Sequence, residues 1–280
     1  LMQRAKPIAM LIEMVKKNAP FYPKIARVKQ TNIRRSLEVS IMDPHIGLIT
    51  HYPEGDSTQT LESVAELILS AIDDLVMKAK SFGPFEEVFM PFGNDFTHVD
   101  NVFHTTTAGT IQPESEAWHR AYVHAEAIAI EMVNRLRNVA PVFIYEVPGN
   151  HSRMADFTLA RLLKAQFHNC DDVKVDASSN PYKFHRFGST LIGYEHGHSV
   201  AQIRLAALMA SERPKDWAET WFREWHLGDQ HRKGSSKPSM LEEQGVSIEY
   251  LPGLTVPNEW HRLKSFNHQK RGAMAFVYDF

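Results

Sequence analysis

Cysteine is almost missing: Cys170 stands alone in 280 residues. A disulfide within the chain is therefore excluded, as is a metal site built on clustered thiolates, and a lone thiol fits a reducing compartment. Cys170 follows a helical pattern among Asn and Asp and has no catalytic context. Long apolar runs are missing too, and none approaches the roughly 18 residues of a membrane span. Arg4, Lys6, Lys16 and Lys17 interrupt the apolar residues near the start, so no signal-peptide core is read there. No Gly-x-x-x-x-Gly-Lys phosphate loop occurs, and no Gly-x-Ser-x-Gly elbow presents a serine nucleophile. Net charge is small, at −2, but unevenly placed. Residues 1–35 carry nine Lys or Arg against Glu13 alone, and the rest carries 22 basic and 32 acidic residues. Residues 1–35 are expected to form a peripheral basic segment beside one domain over 36–280. Such an arm either touches phosphate backbones or presents the solvated face of a helix.

Histidine, by contrast, is abundant, with 15 residues, several beside Asp, Asn and Gly in short turn-like strings. Between those strings the pattern alternates strands and helices. A short helix is expected over 7–17. Residues 37–41 alternate apolar and polar as a half-buried strand does, and run into Asp43-Pro-His45. Leu61, Val64, Ile68, Ile72, Leu75 and Val76 fall on one face of a helix over 61–80. A strand over 87–92 ends at Gly93-Asn-Asp95. A long helix is expected over 114–138. A strand over 142–147 ends at Gly149-Asn-His151, and a helix covers 154–167. A strand over 189–194 ends at His196-Gly-His198, with a helix over 199–211. The Trp-rich stretch 216–227 ends at Gly228-Asp-Gln-His231. Residues 232–245 read as a flexible polar loop, and 246–251 and 272–279 as closing strands.

This alternation predicts an α/β layered (α+β) fold. In open α/β sheets, ligands gather at the carboxyl ends of strands. Five such ends here carry Asp, Asn or His. The candidates in order are Asp43, His45, Asp95, Asn150, His196, Asp229 and His231, with His151 and His198 beside them. All offer oxygen or imidazole donors, a set suited to manganese, iron, zinc or magnesium. Asp-x-His places two side chains on the same side of an extended strand end, so both can reach one ion.

Asp43-Pro-His45, Gly93-Asn-Asp95, Gly149-Asn-His151, His196-Gly-His198 and Gly228-Asp-Gln-His231 resemble the five ordered motifs of the calcineurin-like metallophosphoesterases. The resemblance spans about residues 37–231. Gly93–Asn101, with the Thr-rich string Thr105–Thr110, further resembles phage and bacterial members assigned as DNA-repair exonucleases. It implies an αββα sandwich of two mixed β-sheets flanked by helices, with two divalent metal ions, manganese foremost, at the strand ends. It also implies Asp43, His45 and His231 on the first ion, and Asn150, His196 and Asp229 on the second. Asp95 would bridge both ions as the catalytic carboxylate, and His151 would be the catalytic proton donor or phosphate contact. His98, His198 and Asn94 would either contact substrate or belong to plain loops.

The implied activity is hydrolysis of phosphodiesters, as a DNA exonuclease or other nuclease in the cytoplasm (of a bacterial host if the chain is phage-encoded), with no membrane partner. The same metal core would serve a phosphatase or phosphodiesterase acting on a small molecule or phosphoprotein, and a binding module could keep the fold without catalysis. The basic residues Arg262, Lys264, Lys270 and Arg271 favour nucleic acid. Trp118, Trp217, Trp221, Trp225 and Trp260 would either stack bases or pack helices.

Three positions depart from the family pattern. Asp229 stands where the last motif has its first histidine, Asn94 intervenes between the usual Gly-Asp pair, and Ser152 replaces the acid that often follows Asn-His. His226 is the alternative replacement for the missing histidine. Ser152 leaves His151 without the usual orienting carboxylate.

Overall fold

The computed structural model describes residues 17, 20–27, 34–48, 59–229, 240–255 and 271–280. The first sheet contains β1 (Arg35–Ser40), β2 (Glu87–Gly93), β3 (Val142–Val147), β4 (Val173–Asp176) and β10 (Met274–Asp279). Its order is β10-β1-β2-β3-β4, with β1 to β4 parallel and β10 antiparallel at the edge. The second sheet contains β5 (Lys183–Phe187), β6 (Thr190–Glu195), β7 (Phe222–Leu227), β8 (Met240–Glu243) and β9 (Val246–Tyr250), ordered β5-β6-β7-β9-β8. There β6, β7 and β9 run parallel while β5 and β8 run antiparallel to their neighbours. Helices α1 (Leu61–Ala79), α2 (Trp118–Arg137) and α3 (Arg153–Gln166) pack on the first sheet. Helices α4 (Leu205–Glu212) and α5 (Pro214–Glu219) pack on the second. The layered αββα sandwich of two mixed sheets is thus the observed fold.

The two-residue period of the strands divides the interior into layers. Leu37, Val39, Val88, Met90, Phe92, Val142 and Ile144 face the helices. Phe89, Val147, Ile192 and Tyr194 face the opposite sheet. Helix α1 starts where Thr60 and Ser63 cap each other, Thr60 Oγ1 accepting the Ser63 N–H at 3.1 Å. Helix α2 starts at Trp118, four residues later than the pattern suggested. Leu48 bridges Glu114, and the Ser115 N–H donates to the Gly47 carbonyl at 2.9 Å, which holds that entry extended.

The helix expected over 199–211 is a 3₁₀ turn at Gln202–Arg204 followed by α4. Met240–Glu243, expected in a loop, is an edge strand, and 232–239 lie outside the described residues. The helix expected over 7–17 also lies outside them, except for Lys17, which is helical. Strands β4 and β5 were not anticipated. Residues 20–27 lie against the ends of α2 and α3, with Tyr22 stacked on Phe167 at 4.8 Å. Among the described residues, no helix is long and apolar enough to cross a membrane.

Between the sheets lie two polar networks. In the first, Glu38 on β1 accepts from His226 Nδ1 at 2.7 Å, Tyr194 OH at 3.0 Å and Tyr278 OH at 3.2 Å. In the second, His185 joins Glu87 at 2.7 Å and Tyr145 at 2.8 Å. His226 therefore faces the sheet interior and pairs with Glu38, which corrects the expectation that it could stand in for a metal ligand.

Burial opposes charge on His226, but Glu38, with Glu224 beside it, raises the imidazole to about 10. Tyr194 and Tyr278, the other titratable groups facing Glu38, are held protonated by burial and by that carboxylate. A raised folded-state pKa stabilises fully below the unfolded value of about 6.5, and that stabilisation fades as pH climbs to about 10. Thermal stability should therefore decline steadily from pH 6.5 to 10, and Glu38→Gln should flatten this slope. Melting curves that fall equally steeply in the parent and the variant would sink this assignment.

Candidate metal centre

The site forms where strands from both sheets end. β1 runs into Asp43 and His45, β2 into Asp95, and β3 into Asn150 and His151, while β6 runs into His196 and β7 into Asp229. The loops continue the sheet pairing beyond the strands. The Asp43 N–H donates to the Asn94 carbonyl at 3.0 Å, His45 N–H to Asp95 at 3.1 Å, and Asn94 N–H to Val147 at 2.8 Å. Backbone strain concentrates here. Asp43, His45, Asn94, Asp95 and Asp229 all have positive φ, between 45° and 62°. Non-glycine residues adopt that region at a cost, and it persists where surrounding contacts demand it. Gly149 is required for closeness: a Cβ there would lie 1.8 Å from Asp95 Oδ1.

His196 is the hub. Its Nε2 lies 2.9 Å from Asn150 Oδ1, 3.1 Å from Asp95 Oδ2, and 3.8 Å from both Asp43 Oδ1 and Asp229 Oδ1. Asp43, Asp95 and His196 each offer a ligand atom within 4.8 Å of the other two. Burial works against charge on His196, yet Asp95, Asp43 and Asp229 raise its imidazole to about 10. Burial also opposes the Asp95 carboxylate, but His196, His45 and His151 hold it below the ordinary carboxylate range. Three carboxylates converging on one buried imidazole are an excess of negative charge, and a divalent cation is the natural counter-charge for it. The donors are hard oxygens and imidazole, so the residues fit such an ion.

A second group adjoins the first. His45, His98 and His151 also bring one ligand atom each within 4.8 Å of the others. The Nδ1 atoms of His45 and His98 are 3.4 Å apart, and the His45 and His151 rings are 4.7 Å apart. His98 thus lies with His45 and His151, a position reached because the Ile46 N–H donates to Phe96 and the His98 N–H to Ile46. His231 and Gln230 lie outside the described residues. His198 is exposed at the rim, its ring 5.3 Å from that of His196. Asn94 is fully buried in its turn.

His151 does not lack an orienting partner. Its Nδ1 lies 3.0 Å from the His98 carbonyl oxygen, which can only accept, so Nδ1 carries the proton and Nε2 is left for chemistry. Its own N–H donates to Asp95 Oδ1 at 2.7 Å. Two acids support these residues, and the role of neither was expected from the sequence. Asp156 accepts the N–H groups of Asp95, Phe96 and Gly149 at 3.2–3.3 Å, and so ties the ends of β2 and β3 together. Asp100 accepts the Met154 and Ala155 N–H groups at 2.7 and 2.9 Å, capping α3 from another loop. All of these contacts except Gly149 with Asp156 are long-range in sequence, and an acid near a helix start is too common to signal them.

No family model matches the chain, and no curated protein matches it. Among solved structures, one from Staphylococcus aureus, provisionally named a 5′-nucleotidase and bound to alpha-ketoglutarate, is similar over 78% of this chain. Identity is 9%, the TM-score is 0.34, and the chain spans 49% of that structure's length. A likeness this distant carries no weight, and the site is read from its own geometry.

Proposed function

We propose that this chain is a dinuclear metal-dependent phosphoesterase of the calcineurin-like kind that hydrolyses phosphodiesters, with nucleic acid as the substrate class. The observation that carries this reading is the meeting of Asp43, Asp95, Asn150 and Asp229 around His196, with His45, His98 and His151 adjoining. Asn150, His196 and Asp229 would hold one ion, Asp43 and His45 the other, with Asp95 between them. Divalent ions bound there would supply Lewis acidity toward phosphoryl oxygens and water acidified to near neutral pH. The chain's own part is positional and acid–base. Asp95 fixes the His151 backbone, the His98 carbonyl fixes its ring, and in the imidazolium form the second proton, on Nε2, would be presented to a leaving oxygen.

The nucleic-acid part of the reading rests on the segment Gly93–Asn101 with Thr105–Thr110. That segment is tied to the end of β3, where the Thr107 N–H donates to the Asn150 carbonyl at 3.3 Å, and Thr107 Oγ1 donates to Asp100 at 2.8 Å and accepts the Arg153 N–H at 3.1 Å. The basic arm gives it less support than its composition suggested. Lys24, Arg27, Arg34 and Arg35 are paired with Asp171, Asp172, Glu86 and Asp279. The direct test is hydrolysis by the purified chain, with and without manganese, of single-stranded DNA, a dinucleotide and a phosphomonoester. Manganese-dependent cleavage of the first two supports the proposal. Cleavage of the monoester alone would replace nuclease with phosphatase, and no cleavage at all would overturn both.

Asp229 gives a separate prediction. Its side chain is partly exposed and approaches His196 no closer than 3.8 Å, the loosest arrangement in the set along with Asp43. Histidine tolerates the positive φ at this position. Asp229→His should tighten binding of the second ion, more for zinc than for manganese, and leave activity equal or higher. Calorimetric titration of both proteins with each metal decides it. Weaker binding with lost activity would show that the carboxylate is adapted to this site.

A further inference from the structure

Helix α3 sets out directly from the metal centre. Arg153 stands two residues beyond His151, and Asp156 accepts the N–H groups of Asp95 and Gly149. One side of the helix is core, with Ala155, Leu159, Ala160 and Leu163 buried. On the other side Arg153, Phe157, Arg161 and Lys164 are exposed. At 3.6 residues per turn these four fall within an arc of roughly 80°. Asp156 is the helix's one acid, and it is fully buried. The exposed side therefore carries three cations and no anion. Among the described residues, no carboxylate forms an ion pair with Arg153, Arg161 or Lys164. The neighbouring helices differ in this respect. Lys78 of α1 meets Asp74 at 2.6 Å, and Arg120 and Arg135 of α2 meet Glu116 and Glu131 at 2.8 and 3.0 Å. Lys164, in the last turn of α3, gains from the helix dipole, but Arg153, in the first, opposes it.

Unpaired cations in a row select an anion, and the length of the row selects its kind. From Arg153 to Lys164 the helix rises about 16 Å. One phosphate cannot span that distance, whereas a stacked strand places roughly four or five phosphates along it. The row also begins beside His151, where a leaving oxygen would be protonated, so a strand cut at the metal centre could continue along it. Phe157, in the middle of the row, is 37% exposed and offers apolar surface on which a base can rest. We propose that the exposed face of α3 is the track for the uncut part of a nucleic-acid strand, with Arg153, Arg161 and Lys164 on its phosphates. This assignment rests on the phosphodiesterase reading above, but the contact itself needs neither metal nor cleavage.

The test is the binding of a labelled single-stranded DNA of roughly 12 nucleotides, longer than the row. Fluorescence anisotropy reads it with the full chain, no metal added, over a range of salt. Three phosphate contacts give log affinity against log salt a slope of about −2 or steeper. Arg161→Gln/Lys164→Gln should flatten that slope by about 1.4 and weaken binding about 25-fold at about 0.1 M salt. Lys78→Gln/Lys215→Gln removes the same charge from α1 and α5 and should bind like the parent. With manganese added, a dinucleotide, too short to reach Arg161, should be hydrolysed equally by the parent and the α3 variant. A parental slope near zero would overturn the track, and that measurement needs no variant to fold. Equal losses in the two double variants would also overturn it, since net charge alone would then explain the effect. So would an α3 variant that keeps parental strand binding but loses binding to vesicles of phosphatidylserine in phosphatidylcholine, which would assign the face to a membrane surface. Strand binding that follows α3 without manganese-dependent hydrolysis defeats the phosphoesterase alone. Hydrolysis by the parent, with a parental slope in the α3 variant, defeats the track alone.

Discussion

Asp95→Asn should lower phosphodiester turnover by about 100-fold or more while the protein stays folded. The carboxylate is buried between two partners, accepting the His151 N–H on Oδ1 and lying 3.1 Å from His196 Nε2 on Oδ2. An amide has the same shape but only one accepting oxygen. If that oxygen keeps the His151 N–H, an NH₂ group faces the metal-binding side. If it turns the other way, the His151 backbone loses its acceptor. Either orientation also removes a negative charge from the place where His196, His45 and His151 converge. Metal content by elemental analysis, circular dichroism and a manganese-dependent rate together decide the matter. A folded variant with parental metal content and parental rate would show that Asp95 is not central to the site.

His151→Ala should cut turnover by about 10²–10⁴-fold and leave metal content nearly unchanged. The residue directly follows the proposed ligand Asn150, but its Nδ1 is committed to the His98 carbonyl, which leaves Nε2 as its chemical face. The loss should depend on the leaving group. An ester that expels a nitrophenolate needs little protonation and should suffer least, whereas an alkoxide leaving group should suffer most. Equal losses for both esters would argue against proton donation. A parallel loss of metal would instead make His151 a ligand beside His45 and His98, which the closeness of those three side chains permits.

The elements legible in the sequence were those whose interiors are apolar. β1, β2, β3 and α1 present alternating or helical apolar faces to one core, and their limits fall within two residues of the expected ones. Strand β5 was missed because its pattern is inverted. Lys183 and His185 are buried, and His185 points at Glu87 and Tyr145 across the sandwich. A polar residue in a buried position reads as loop until its partner is known, and that partner lies 98 residues away. β4 and β8 are four residues each, too short for periodicity to register. In the site, Asp43, Asp95, Asn150, His196 and Asp229 were legible because each ends a strand. Their supports were not, since Asp156, Asp100 and the His98 carbonyl act through backbone groups that carry no residue signature.

The polar seam between the sheets matters for a reason beyond stability. Asp43, His45, Asp95 and Asn150 hang from one sheet, and His196 and Asp229 from the other. An ion held by Asn150, His196 and Asp229 would therefore depend on two separately built slabs being held in alignment. Apolar surfaces tolerate sliding, because dispersion and burial change little over a fraction of an ångström, whereas hydrogen bonds have direction and length. Glu38 with His226 and Tyr194, and Glu87 with His185, cross the gap like dowels between two boards. Removing a dowel lets the boards creep, and a shift of about 1 Å is enough to cost two orders of magnitude in a reaction that depends on placement. Damage to this seam, remote from any ligand, should therefore register in metal affinity before it registers in melting temperature.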